Sequence, residues 1–132
     1  MVWKDAIIKS EKYFMKKFKY ILDIEVTNPL INHKDLEKFL KNFYKKKVSY
    51  DGQFCITTAR KNPYFNLMEY RNKKYVISKK LRNKEITARQ NATKTVEHVA
   101  GLDCAKRDYI LNCKYLFEGK IYGYNVPLLK SF

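Results

Sequence analysis

Phe18-Lys19-Tyr20-Ile21-Leu22-Asp23-Ile24-Glu25-Val26 decides how this chain is read. Phe18, Tyr20, Leu22, Ile24 and Val26 alternate with Lys19, Asp23 and Glu25, the period of two that belongs to a half-buried strand. Asn28-Pro29 stops it. Upstream the period is different: Trp3, Ile7, Phe14 and Phe18 fall at helical offsets, with Lys4, Lys9, Glu11, Lys12 and Lys16 elsewhere. The first seventeen residues therefore read as an amphipathic helix. Downstream, Asn32 is a good N-cap, and Asp35 sits in the first turn, where it favours the helix dipole. Leu36, Phe39, Leu40, Phe43 and Tyr44 make the apolar stripe of a second helix, which Lys45, Lys46 and Lys47 close at its negative end.

Beyond it the elements are shorter. Asp51-Gly52 marks a turn, residues 53–58 a strand, and Lys61-Asn62-Pro63 another turn. Residues 64–70 and 73–80 are strand-like, the second of them also compatible with a helix, and residues 82–91 read as a polar loop. A short helix is expected over residues 92–100, ended by Gly101 as a left-handed cap. Tyr109, Leu111, Cys113, Tyr115 and Phe117 alternate as a strand, Glu118-Gly119 is a two-residue turn, and residues 120–126 return as its partner. The expected architecture is α+β: a single domain over residues 1–132, with a mainly antiparallel sheet and two or three helices packed on one face.

Composition narrows the class. At 132 residues, 45% hydrophobic and 15% aromatic with four Gly and three Pro, the chain can bury a core and is not a disordered segment. No apolar run approaches the roughly 18 residues that span a bilayer, and charges interrupt the N-terminal apolar residues, unlike a signal-peptide core. Three cysteines, Cys55, Cys104 and Cys113, with no CxxC spacing, suit free thiols in a reducing, cytoplasmic setting. Asn91-Ala92-Thr93 matches a glycosylation acceptor only by chance in such a setting.

Charge supplies the functional expectation. Residues 60–94 hold eleven basic residues against Glu69 and Glu85, a net +9 of the chain's +15. That density calls for a polyanion, and nucleic acid is the default one. The candidate nucleic-acid-binding residues are Lys45, Lys46, Lys47, Arg60, Lys61, Arg71, Lys73, Lys74, Lys79, Lys80, Arg82, Lys84 and Arg89. Tyr64, Phe65, Tyr70 and Tyr75 interleave with them, a combination suited to stacking on unpaired RNA bases, although strand alternation already explains the aromatics and is the preferred account of them.

Catalytic signals are sparse. His33 and His98 have no Cys, Asp or Glu at ligand spacing, no Gly-rich phosphate loop is present, and no metal or cofactor is expected. Nothing points to a dyad of Cys104 with His98. Asp108 followed by Glu118-Gly119-Lys120 has the order used by metal-dependent nucleases, but the Glu-Gly pair falls where a tight turn points Glu118 to solvent.

Lys19-Tyr-Ile-Leu-Asp23, Asn28-Pro29 and the helix with Leu36-Glu-Lys-Phe39-Leu40 resemble the eukaryotic large-subunit ribosomal protein twenty-two family. Residues 53–70 look like its hairpin, and Lys73-Lys74-Tyr75 through Lys84 is similar to its lysine-rich segment. The family's glycine-rich loop is reduced here to Asp51-Gly52, its acidic tail is absent, and the N-terminal helix and residues 109–126 have no clear counterpart. The resemblance implies a non-enzymatic, structural rRNA-binding protein with neighbouring ribosomal proteins as further partners. The alternatives are a small viral or mobile-element protein that inhibits a host nucleic-acid-processing enzyme and, below it, the nuclease.

Overall fold

The computed structural model describes residues 2–79 and 89–131, which divide into two compact units, Met1–Thr57 with His98–Phe132 and Thr58–Glu97. In chain order the regular elements are α1 (Val2–Phe14), β1 (Tyr20–Ile24), α2 (His33–Lys46), β2 (Gly52–Thr58), β3 (Met68–Arg71), β4 (Lys74–Ile77), β5 (Val96–Lys106), α3 (Arg107–Asn112) and β6 (Ile121–Asn125). The α+β class read from the sequence is what forms.

The larger unit is built on a four-stranded sheet in the order β1-β5-β2-β6. β1 runs antiparallel to β5, with Tyr20 opposite Lys106 and Ile24 opposite Leu102. Gly52 lies against Cys104 and Ala105 while Gly101 lies against Cys55, so β2 is also antiparallel to β5. β6 runs parallel to β2, Gly52 opposite Ile121. Three strands therefore point one way, with β5 reversed between them, and the sheet is mixed. The expected hairpin of residues 109–117 with 120–126 does not form. Its second arm is β6, whose partner is β2; its first arm begins as α3, where the burial of Ile110 and Cys113 follows a helical i, i+3 spacing.

The helices divide between the faces instead of sharing one. Phe39 and Phe43 of α2 pack with Cys55, Leu102 and Cys104. Ile7 of α1 and Ile110 of α3 pack with Phe54 and Ala105 on the other side. Sequence neighbours Phe54 and Cys55 thus serve opposite faces, as pleating requires. For α2 the apolar stripe decides: burying Phe39 and Phe43 contributes roughly 1.5–3 kcal/mol each. The capping box of Asn32 with Asp35 adds about 1 kcal/mol.

β5 replaces the helix expected over residues 92–100. Thr93, Thr95, Val96 and Val99 are β-branched and favour extended backbone. Residues 101–105 are buried as a continuous run, the signature of a central strand covered on both faces. The strand also slips phase. Val99, Leu102 and Cys104 all join the α2-side core, although 99 and 102 have opposite parity. An extra residue is therefore accommodated between them, as in a β-bulge. Gly101 lies in this segment without a left-handed backbone. Its value is space: an added Cβ would stand 3.0 Å from Cys55 Cβ.

α1 and α3 are joined by an ion pair. Arg107 Nε donates to Glu11 Oε1 at 2.6 Å and a terminal nitrogen to Oε2 at 2.8 Å, with both side chains largely buried. The guanidinium holds the Glu11 carboxyl down at about 2.

The smaller unit carries the antiparallel hairpin β3–β4. Asn72 and Lys73, with φ of 49° and 62°, make a two-residue turn of the primed type that matches strand twist. The strand expected from residue 64 begins only at Met68. Before it, Asn62 O accepts from Asn66 and Leu67 N–H, and Asn62 Oδ1 from Tyr64 N–H, winding the segment into turns.

Two outcomes check this account. Gly101→Ala should destabilise the fold by about 1–3 kcal/mol in denaturant titration, because Cys55 and β2 must move. Arg107→Gln should lower the melting temperature at neutral pH. Glu11 titrates below its unfolded value, so the pair's contribution is complete above the unfolded carboxylate range and is lost as pH falls toward 2. The gap between wild type and Arg107→Gln should narrow across that interval.

Candidate functional site

The carboxyl ends of β1, β2 and β6 and the incoming end of β5 lie along one edge of the sheet, the edge at which open sheets with parallel strands bind ligands. His98 and Asp103, both on β5, meet on this side, with His98 Nε2 2.7 Å from Asp103 Oδ2. Residues five apart on a regular strand point to opposite faces and lie about 16 Å apart. The phase slip between Val99 and Leu102 is what brings these two together.

Each group is held from more than one direction. Asp103 is 6% exposed, and its Oδ1 accepts the Cys55 N–H at 3.1 Å. The imidazole packs against the rings of Phe54 and Phe117, at 5.7 and 5.2 Å between centroids. The hydrogen bond to Asp103 raises the His98 pKa above its ordinary value; burial opposes this, and the charges of Asp103 and Glu25 reinforce it. Asp23 stands directly across the ladder from Asp103 and accepts the Trp3 indole N–H at 3.0 Å. The side chain of His98 remains 37% exposed. The arrangement suits proton transfer: an aspartate orients an imidazole whose ring is open to solvent.

The loop after β1 is fixed by Asn28. Its Nδ2 donates to the carbonyls of Ala100 and Lys130, and its Oδ1 accepts the Leu30 N–H. On the α2 face of the same edge, a cleft of about 180 Å³ is bordered by Asp35, Lys38, Tyr124, Asn125 and Lys130. Lys130 Nζ donates to Asp35 at 2.5 Å and draws that carboxyl below its ordinary value.

Cys104 is not the partner of His98. It belongs to the α2-side core, and burial pushes its thiol up to about 12 and that of Cys55 to about 11, so neither is a ready nucleophile. The nuclease order is not assembled either. Asp108 pairs with Arg107, and the Glu118 carboxylate accepts the Lys114 N–H. Among the described residues, no three His, Cys, Asp or Glu side chains group as metal ligands.

The basic residues are dispersed. Lys45 is exposed at the end of α2, Lys46 lies 5.1 Å over the Tyr122 ring, and Lys47 lies 4.5 Å over Tyr44 and 5.1 Å over Tyr20. In the smaller unit, Arg71 is paired with Glu69 beside the hairpin turn that carries Lys73 and Lys74. Lys79 lies 5.6 Å over Tyr64, and Tyr70 and Tyr75 pack on each other across the hairpin. Lys61 is exposed, and the Arg60 N–H donates to Glu97. Arg89 opens the turn Arg89–Asn91. Lys80, Arg82 and Lys84 lie outside the described residues. A cleft of about 300 Å³ in this unit is lined by Thr58, Arg60, Asn62, Phe65, Thr93 and Lys94. Among the described residues, no helix is long and apolar enough to cross a membrane.

Sequence reasoning singled out the cations, weighed His98 only as a metal ligand or a partner of Cys104, and did not consider Asp103. The one available signal was Asp103, a carboxylate inside the apolar run from Val99 to Ala105, where an acid is retained only with partners.

No family model matches the chain. Among curated proteins it is similar to Post-translational flagellin modification protein B of Campylobacter coli, 33% identical over 127 residues covering 96% of this chain and 50% of that protein. It is also similar to CMP-N,N'-diacetyllegionaminic acid synthase of Campylobacter jejuni subsp. jejuni serotype O:2, 36% identical over 127 residues with the same coverage. These relatives correct the functional expectation. They are named for flagellin modification and nucleotide-sugar synthesis, not for RNA binding, a ribosomal role or action on a nucleic-acid enzyme, and the expected rRNA and ribosomal-protein partners fall with it. A synthase among them points against the expectation of no enzyme. The chain spans about half the length of the curated relatives it matches.

Proposed function

We propose that this chain forms part of an enzyme that joins CMP to an acidic sugar of the N,N'-diacetyllegionaminic acid type. The observation that carries the reading is similarity along 96% of the chain to a protein named for making that product. The reaction class follows from the product. A sugar hydroxyl attacks the α-phosphorus of cytidine triphosphate, a P–O bond to the sugar forms, the bond to pyrophosphate breaks, and the hydroxyl proton passes to a base.

His98 is the group we assign to that proton, with Asp103 as the positioning residue that holds the imidazole. Both lie where the parallel strands end, and His98 keeps an exposed ring.

The test is pyrophosphate release and CMP-sugar formation from magnesium CTP and N,N'-diacetyllegionaminic acid, in the protein that carries this chain. His98→Gln should lower kcat by roughly 100-fold. A base must be neutral to act, so the rate should climb as pH rises through the raised His98 value. Asp103→Asn should shift that limb to lower pH. NMR titration of the imidazole should show the same displacement without substrate. Turnover with an unchanged pH profile in both variants excludes the assigned roles, and no CMP-sugar from the wild type excludes the function.

A further inference from the structure

Among the described residues β1 is the last strand on its side of the sheet, yet its sequence is not that of an edge. Tyr20-Ile21-Leu22 is a continuous apolar run, the pattern of a strand covered on both faces, here by α2 over Tyr20 and Leu22 and by α1 over Ile21. Edge strands are blunted by lysine, proline or a bulge, and residues 20–24 contain no lysine or proline.

The ladder to β5 shows which backbone groups face outward. Arg107 N–H donates to Lys19 O, and Glu25 N–H donates to Gly101 O, so the odd-numbered residues of this segment bond to β5. The N–H and C=O groups of Tyr20, Leu22 and Ile24 therefore point away from the sheet. Beside this edge, a groove of about 340 Å³ along α1 is lined by Trp3, Ala6, Ile7, Phe14, Phe18 and Ile21. Phe14 is 64% exposed and Ile24 is 49% exposed. Outward backbone groups next to an apolar floor are what strand addition uses: main-chain bonds supply affinity and the groove takes side chains.

Length indicates the occupant. Both relatives match nearly all of this chain with only half of themselves, so each accompanies the matched segment with a comparable length of further polypeptide. We propose that the β1 edge and the α1 groove receive a strand and its apolar side chains from polypeptide equivalent to the half of the relatives that this chain does not match. The proposal rests on the relationship to those proteins, not on the catalytic assignment, and its test contains no substrate.

The isotope-labelled chain is mixed with the unmatched half of the Campylobacter jejuni synthase as a separate polypeptide, and amide exchange is followed by NMR. Exchange at Tyr20, Leu22 and Ile24 should slow by roughly tenfold or more. Ile24→Pro removes an outward N–H and leaves every bond to β5 in place, and it should abolish the protection of Tyr20 and Leu22. If that variant fails to fold, Phe14→Glu, which places a charge in the groove, serves in its stead. Unchanged exchange at a saturating amount of the added half overturns the proposal. So does protection that persists in the folded variant, or that arises from raising the concentration of the labelled chain alone, which marks a second copy as the occupant.

Discussion

The buried carboxylate of Asp103 is the constraint around which the larger unit is arranged. A carboxyl group at 6% exposure is tolerable only when hydrogen-bonded. Cys55 N–H supplies one bond from β2 and His98 the other from the start of β5. To make both, β5 must lie close to β2 and must slip phase. Gly101 permits the first, since an added Cβ would stand 3.0 Å from Cys55 Cβ and push the strands apart. The slip between Val99 and Leu102 achieves the second. The same carboxylate thus ties the two central strands together and holds the His98 imidazole at the strand-end edge.

Charge was informative about chemistry and misleading about partner. The excess of cations in residues 60–94 calls for anions, which is a statement about electrostatics alone. Going from anions to a nucleic acid added an assumption about polymer length that nothing in the chain carries. Several of the cations are also engaged: Lys46, Lys47 and Lys79 lie over tyrosine rings, and Arg71 is paired with Glu69. Such contacts use the aliphatic stem and the charge together, so a lysine beside an aromatic in sequence is weak evidence for base stacking.

Legibility followed the range of the forces involved. α2 was readable in full because its cap, stripe and C-terminal lysines are local, and Asn32 with Asp35 closes the capping box. β1 and β2 were readable for the same reason, each bounded by turn residues. β5 and α3 were not. The continuous burial of residues 101–105 hides any period, and the alternation of Tyr109, Leu111 and Cys113 loses to the burial of Ile110 against Ile7. In the candidate site, His98 and Asp103 looked unrelated because a regular strand places residues five apart on opposite faces.

By itself, then, the amino-acid order determined the elements whose periodicity and caps are local, and the excess of cations in residues 60–94. The choice between strand and helix for residues 96–112, the parallel pairing of β6 with β2, the division of the helices between two faces and the meeting of His98 with Asp103 belong to the tertiary structure. The reason is physical: each depends on which surface is left to be buried after the other elements have packed, and that information is not contained in any one segment.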